Sequence, residues 1–408
     1  MNTIVTASLI AKETMRAFVN ALGLGQGINM QYKDEFANGG FVGKSTTVNI
    51  KKPVRFTVST GQALDLQDVL EETTPFTIQY QDHVDFQFSS QDLAVGIVKF
   101  RENYLIPAAS ALAAKFDTRI AQLYQKAFNF VGVPGTIPTT ALTYLNAKTA
   151  LNLAGCPDEN ARRLVINSAM HANIVETLKT LTLPTTSISE QFRRGVMGQG
   201  LGFTWQTDDN IIAHTCGTTG SGGALVNGAS QTGAAIITDT WTSATPVLKK
   251  GDIVQFAGVY SVNPLTFLST GVLANFTLTA DITTADTTLT LPISPPIVTS
   301  GPTQNVSASP ADNAVITFFG GAAINTYTAK VSSQGLAFHP KALTAAFIDL
   351  PLPRGADMAA RISDPDLGIS MRVWRDGDIQ TDQFPCRVDI FYGVDMVRPE
   401  WVCRVCSA

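Results

Sequence analysis

The 408-residue sequence is short of charge. Asp, Glu, Lys and Arg make up 15% of it, against about 25% in ordinary globular proteins. The net charge is −4, which argues against a dedicated nucleic-acid binder, whose basic face must neutralise phosphates. Hydrophobic residues stand at an ordinary 45%, so Thr, Ser, Gly and Ala take the place of the missing ions. A surface poor in ions opposes association weakly, because little repulsion or bound water must be overcome. That composition fits a subunit largely covered by neighbours. It fits a Thr/Ser-rich all-β protein equally well, and composition leaves both open.

Other absences narrow the class. Long apolar runs are missing, so nothing approaches the roughly 20 residues of a membrane-spanning helix. Met1–Arg16 has no basic start and its apolar character is broken by Thr6, Ser8, Lys12 and Glu13, unlike a secretory signal. The cysteines are Cys156, Cys216, Cys386, Cys403 and Cys406. An odd, scattered set is not a disulfide framework, and free thiols suit a reducing cytoplasm.

Catalytic and metal-binding constellations are also lacking, and none is expected: no enzyme, no cofactor, no metal. Asn38–Ser45 (NGGFVGKS) ends like a phosphate-binding loop, but Asn38 stands where the first glycine is needed. A strand is expected after Ser45, so no helix N-terminus would face a phosphate. Cys403-Arg404-Val405-Cys406 is a lone C-x-x-C without a second ligand pair for zinc, and it lies too near the chain end to open a thioredoxin-like helix. His83, His171, His214 and His339 follow no ligand spacing and read as polar-face or turn residues. There is no G-x-S-x-G. Cys216–Gly223 (CGTTGSGG) reads as a flexible link, and Asp208-Asp209 and Asp364-Pro365-Asp366 as turns. The sequons at Asn275 and Asn305 are short matches that are common by chance.

What is present is a succession of distinct segments. Residues 9–22 have helical spacing (Ile10, Ala17, Phe18, Ala21, Leu22), with Gly23 as a stop. Residues 23–44 are Gly-rich and read as an extended arm. Ser45–Val58 is β-branched and strand-like, and Thr60–Glu72 is polar and loop-like. Phe76–Phe88 alternates as one half-buried strand: Phe76, Ile78, Tyr80, Val84, Phe86 and Phe88 share a face that only Asp82 interrupts. An isolated two-stranded hairpin is marginal in water, so the arm and hairpin are expected to dock, either on the rest of the chain or on a neighbour, and the neighbour is favoured.

Residues 102–131 give the strongest helical pattern, with Leu105, Leu112, Phe116, Ile120, Leu123 and Tyr124 at three- and four-residue steps and Lys115, Asp117, Arg119 and Lys126 elsewhere on the wheel. About 25 residues would make a strut of roughly 37 Å. Helices are expected over Thr139–Leu153, Ser168–Leu181, Ser189–Met197 and Lys341–Phe347. Strands are expected at Leu164–Asn167, Phe203–Ala213, Ile369–Arg375 and Cys386–Met396. Between them, Ser221–Lys330 holds only eight charged residues in 110. Its short apolar stretches (Ala235–Ile237, Ile253–Ala257, Phe276–Leu278, Thr288–Leu291, Val315–Phe319), separated by turns, read as an all-β barrel or sandwich inserted into a mixed domain.

Several segments resemble the phage P-22-type coat proteins, a branch of the HK-97-like capsid fold. They are Val84–Leu93 (VDFQFSSQDL), Tyr104–Ala114 (YLIPAASALAA), Phe203–Thr218 (FTWQTDDNIIAHTCGT), Leu248–Pro264 (LKKGDIVQFAGVYSVNP), Leu336–Leu343 (LAFHPKAL) and Asp389–Pro399 (DIFYGVDMVRP). The resemblance implies an α+β fold with an N-terminal arm (1–39), an extended β-hairpin loop (40–80), a peripheral domain with a long spine helix (81–134), an axial domain (135–220 and 336–408) and an inserted all-β domain (221–335). It implies a major capsid protein of a tailed bacteriophage, self-assembling into hexamers and pentamers of an icosahedral shell around double-stranded DNA. The shell would form in the host bacterial cytoplasm. Implied partners are other copies of the chain, a separate scaffolding protein, a portal protein, a decoration protein and packaged DNA contacted non-specifically; a membrane is not among them. Alternatives are an encapsulin-like nanocompartment shell, a β-rich adhesin or binding module, and a hydrolase for which no constellation was found.

Overall fold

The computed structural model describes residues 7–32, 46–56, 58–62, 64, 66–89, 101–178, 198–218, 224–241, 247–283, 286–319, 329–364 and 367–408. The chain divides into two compact units, one built from residues 1–50, 73–120 and 343–397, the other from 51–72, 121–342 and 398–408. The expected helix at Ser189–Met197 and the NGGFVGKS motif lie outside the described residues.

The first unit is organised around the 14-residue strand Gln383–Met396. Its length lets it pair antiparallel with Leu343–Phe347, Ser370–Arg375 and Tyr80–Ser89, and Met358–Ser363 extends the sheet from Ser370–Arg375. The helix Ala7–Ala21 packs on Met358–Ser363 and Ser370–Arg375, burying Ala11, Met15 and Phe18. Thr14 is buried too, and its hydroxyl donates to Ile10 O at 2.9 Å, as a helical threonine in an apolar setting must.

Three expectations change here. Phe76–Phe88 is not one strand but two, Thr73–Thr77 and Tyr80–Ser89. The break falls where Thr77–Ile78 crosses Gly393: a Cβ on Gly393 would lie 2.4 Å from Thr77 O, so only glycine admits that crossing. Lys341–Phe347 is not helical; a 3-10 turn at Pro340–Ala342 leads into the strand Leu343–Phe347, every residue of which is buried. A short apolar run buried on both faces has no period by which a helix and a strand differ. The α-helical part of the strut covers Ile106–Gln122 only, 17 residues or about 26 Å. A π-helical turn at Arg101–Leu105 precedes it and a 3-10 turn at Leu123–Lys126 follows, while Asn129–Val131 is a strand.

The second unit contains two larger sheets. One runs in the order Asn129–Val131, Val402–Cys406, Val331–Phe338, Arg163–Ile166, Phe203–Thr207, Gln199–Gly200, with Ala213–Thr215 also on Val331–Phe338. The helices Ala141–Leu153 and Ser168–Leu178 supply Tyr144, Leu151, Met170 and Ile174 to a core with Trp205, Cys403 and Val405. The other sheet has six strands, ordered Ile316–Phe318, Ile253–Phe256, Phe276–Leu278, Leu289–Ile297, Gly233–Asp239, Leu225–Val226. Its antiparallel pairing closes a core of Trp241, Phe256, Phe276, Leu291 and Ile316. A separate hairpin, Tyr260–Val262 with Ser269–Leu273, extends from it.

Candidate functional site

The arm does not await a neighbour in the way the sequence suggested. Leu22 and Leu24 are buried, and so are Ile50, Phe76 and Ile78, which form one cluster with Ala346 and Val397 of the same unit. Asp117, expected on the polar face of the strut, is fully buried: its carboxylate accepts the Gly23 N–H at 2.7 Å and the Gly25 N–H at 2.8 Å, tying the end of the first helix to the strut. Asp82, the one polar residue on the alternating strand's inner face, is explained in the same way. It accepts Arg119 Nε–H and Nη2–H at 2.9 and 2.8 Å and the Tyr392 hydroxyl at 2.6 Å. Burial opposes its ionisation, but the hydrogen bonds from Arg119 and Tyr392 outweigh burial and hold its carboxyl below the ordinary value of 3.8.

The described residues from Phe56 to Leu70 stay mostly uncovered. The ladder between the strands Thr47–Lys51 and Thr73–Thr77 ends with the Lys52 N–H to Glu72 O bond and two flanking ion pairs, Lys51–Glu71 at 2.6 Å and Lys52–Glu72 at 3.8 Å. Pro53 has no N–H to continue it. Beyond that point the chain presents Phe56, Val58, Leu64, Leu66, Val69 and Leu70 to solvent, Val58 at 95% exposure and Leu64 and Leu66 at 84%. Exposed apolar residues scattered singly need no explanation, whereas a contiguous set marks an interaction site.

A second concentration of chemistry is buried in the second unit. Asp252 accepts the Lys249 N–H at 2.8 Å, the Gly217 N–H at 3.1 Å and a bond from His214 at 2.8 Å. The carboxylate has only acceptors to offer, so His214 Nε2 carries the hydrogen, and Nδ1 shares a hydrogen bond of 3.0 Å with the Tyr124 hydroxyl. Beside them lies Arg404, fully buried: Nη1 donates to Gly251 O at 2.8 Å, and the Tyr124 and Phe319 rings stand 5.7 and 6.0 Å from the guanidinium. Burial lowers its pKa. Its Nε and Nη2 have no hydrogen-bond acceptor among the described residues. Cys216, His214 and Asp252 bring S, N and O within 4.8 Å of one another. The donors do not suit a metal. Asp252 is occupied by two backbone amides and an imidazole, burial pushes the Cys216 thiol up to about 12, and a guanidinium shares the pocket. What the cluster does is fasten the Lys249–Asp252 turn to the strand Ala213–Thr215 and to the strand Val402–Cys406. Sequence reasoning passed over it, since Asp252 stands far from His214 along the chain and no spacing links them.

The remaining candidates resolve singly. Cys403 and Cys406 lie on one strand, three residues apart and so on opposite faces. Cys403 enters the core around Trp205 and Cys406 the core around Trp241, so the C-x-x-C cannot chelate or close as a unit. Burial raises both thiols. His83 is exposed beside Asp85 at 2.8 Å; His339 stacks edge-on to Trp401, and burial lowers its pKa, as it does that of His171. Asp209 caps the helix at Ser168, accepting its N–H and hydroxyl, and Asp208 accepts the Asn210 N–H. Asp364 accepts the Leu367 N–H, while Pro365 and Asp366 lie outside the described residues. Among these groups no nucleophile, base and orienting residue come together.

A family model described as P22 coat protein, gene protein 5, matches residues 1–404. The chain belongs to the P22 coat protein family. It is a phage capsid protein, and its place is the virion capsid; the HK-97-like α+β fold expected from the resemblance is the fold of this family. Comparison with curated proteins finds no match. Among solved structures, a chain from Mycobacterium phage Che8 is similar at 16% identity, covering 95% of this chain and 90% of that one with a TM-score of 0.47. The capsid of Cyanophage P-SCSP1u matches at 12% identity over 90% and 85%, TM-score 0.41. A virus-like particle from Pyrococcus furiosus matches at 10% identity over 97% of each chain, TM-score 0.39.

Proposed function

We propose that this coat protein builds the icosahedral shell of a tailed bacteriophage, one chain filling both hexamers and pentamers around double-stranded DNA. In this reading residues 1–39 act as the arm, 40–80 as the extended loop, 81–134 as the peripheral domain with its spine, 135–220 and 336–408 as the axial domain, and 221–335 as the inserted domain. The supporting observation is the uncovered apolar segment between Pro53 and Leu70, anchored at its base by Lys51–Glu71 and Lys52–Glu72 while the flanking Ile50 and Phe76 are buried. A rigid base with an unsatisfied tip suits one chain in several non-identical environments, because the tip adjusts and the base does not. Separate scaffolding and portal proteins, and a decoration protein on the outside, complete the particle. DNA is touched without sequence preference. Assembly takes place in the host cytoplasm.

Electron microscopy of the purified chain with its scaffold tests this. Wild type is expected to form closed shells, and a variant in which residues 55–70 are replaced by a short Gly-Ser link is expected to remain soluble, folded and unassembled. Residues flanking 55–70 are kept in place because Ile50, Phe76 and Ile78 belong to a buried cluster of the first unit. Shells of normal size from the 55–70 variant would overturn the role given to the loop, and particles filled with an enzyme instead of DNA would move the protein to the nanocompartment class.

A further inference from the structure

Two cavities of the second unit, of about 150 and 200 Å³, share Arg55, Ala154, Pro264 and Glu400 in their walls and so form one cleft. The smaller lies where the end of the helix Ala141–Leu153 meets the Tyr260–Leu273 hairpin and the strands Phe276–Leu278 and Leu289–Ile297. Its walls include Leu153, Val262, Leu273, Phe276, Pro295 and Val306. The hairpin tip is held there by shape. Gly155, at φ +69° just past the helix, leaves room for Pro264, whose Cγ would lie 3.0 Å from any Cβ at that position. The polar side chains of the wall are largely engaged already. Asn305 accepts the Val298 N–H and donates to Pro296 O. Asn129 donates to Glu400 O and Gln304 to Val306 O, while Asn275 accepts from Gln255. The smaller cavity therefore suits an apolar body.

Charge enters where the two cavities meet. Arg55 and Glu400 line both, and the larger adds Lys52, Glu72 and Arg398. Lys52 pairs with Glu72 at 3.8 Å, so two arginines stand against one remaining carboxylate. Neither arginine makes an ion pair among the described residues; Arg398 lies 4.2 Å over the Trp401 ring. An unfilled apolar cavity forfeits the dispersion contacts of its walls, and one of about 150 Å³ with aliphatic and aromatic walls admits a benzene-sized guest. A guanidinium, for its part, offers a carboxylate paired donors. We propose that the cleft binds a small aryl carboxylate: one ring, a short alkyl link and an acid group. The ring lies against Leu273, Phe276 and Pro295, and the carboxylate meets Arg55, with Arg398 adding to the positive field. The helix end, the hairpin and the Arg55 segment are remote in sequence, so an occupant ties them together and stabilises the second unit by mass action. This site goes beyond the shell-building role and does not depend on it.

Fluorine NMR of para-trifluoromethyl phenylacetate, titrated with the purified, unassembled full-length chain, is the test. Saturable broadening of the probe signal is expected, together with a rise in the thermal unfolding midpoint. The matching neutral amide is expected to bind about tenfold more weakly, the order of a hydrogen bond to a charged group. Arg55→Gln should lower the affinity for the acid by the same factor and leave that for the amide unchanged. Val272→Trp, at a half-exposed position of the cavity wall, should abolish binding of both with an unaltered circular dichroism spectrum. Arg55 has no ion-pair partner to lose, so its variant keeps the test decisive even if the tryptophan variant misfolds. No saturation by about 10 mM, tenfold above a weak millimolar affinity, would overturn the proposal. So would equal affinity for acid and amide, or an Arg55→Gln chain that binds the acid as wild type does.

Discussion

Replacing Asp252 by alanine isolates the buried cluster. The substitution leaves three donors without an acceptor: the Lys249 and Gly217 amides and His214 Nε2–H, formerly bonded at 2.8, 3.1 and 2.8 Å. Asp252 is 2% exposed, so water does not readily replace the carboxylate. Each orphaned buried donor costs about 1–3 kcal/mol, and the buried Arg404 loses a nearby negative charge. Allowing for partial relaxation, the expected loss is about 4 kcal/mol, a large share of the ~5–15 kcal/mol that holds an ordinary domain folded. A chain of two units need not unfold in one step, so two readouts are paired. Urea midpoints report the loss of stability. Amide exchange at Lys249 and Gly217 reports where it occurs, with protection falling there before it falls in the Gln383–Met396 strand. A change below about 1 kcal/mol, the size of an ordinary surface substitution or little more, with unchanged exchange at those two amides, would refute the reasoning that this carboxylate fastens the turn.

The remaining predictions concern pH and thiols. Asp82 titrates lower in the folded chain than its ordinary 3.8, so its contribution is complete above that value and is lost as pH falls through the folded one. Acid unfolding followed by circular dichroism should begin below about pH 4 and should be flatter over that range in Asp82→Asn; an unchanged profile would count against the Arg119–Asp82–Tyr392 arrangement. All five cysteines are buried, and burial pushes Cys216 up to about 12 and Cys386 up to about 11. Thiol reagents should therefore modify none in the native chain and all five after denaturation; rapid native labelling of Cys403 or Cys406 would show that their strand is not packed as described.

Legibility followed the strength of the local signal. The strand Phe276–Leu278 was read to the residue, and Gly233–Asp239, Ile253–Phe256 and Ile316–Phe318 to within a few, because turn residues punctuate each β-branched run. The helices expected over Thr139–Leu153 and Ser168–Leu181 stand at Ala141–Leu153 and Ser168–Leu178. The failures share a cause: each depended on a partner remote in the chain. Leu343–Phe347 became a strand because Tyr392–Met396 lies beside it. Asp117 was taken for a solvated residue because Gly23 and Gly25 give no sign in the sequence that their amides need a carboxylate. Asp82 drew notice as an exception to its pattern, but Arg119 and Tyr392 had to be seen before the exception had a reason. Cys403 and Cys406, set aside in the sequence as a lone C-x-x-C, enter different cores from opposite faces of one strand.

The distinction matters most for the front of the chain, where the sequence favoured docking of the whole arm and hairpin on a neighbour. The first helix and the hairpin base prove self-sufficient, which confines the proposed contact to the segment between Pro53 and Leu70. Such a segment is costly to order, at roughly 1–2 kcal/mol per backbone residue, while each apolar side chain it buries returns about 1.5–3 kcal/mol. The base already fixes both ends, so part of the ordering cost is met before a neighbour arrives. The two quantities are then comparable, and a single contact would be weak and reversible. Weakness is what a closed shell requires of its pairwise contacts: a misplaced subunit must be able to leave, and a correctly placed one is retained because several contacts act together. A loop with a full hydrophobic core of its own would gain nothing from a neighbour, and a wholly disordered arm would pay too much to bind one. The anchored apolar loop lies between these limits.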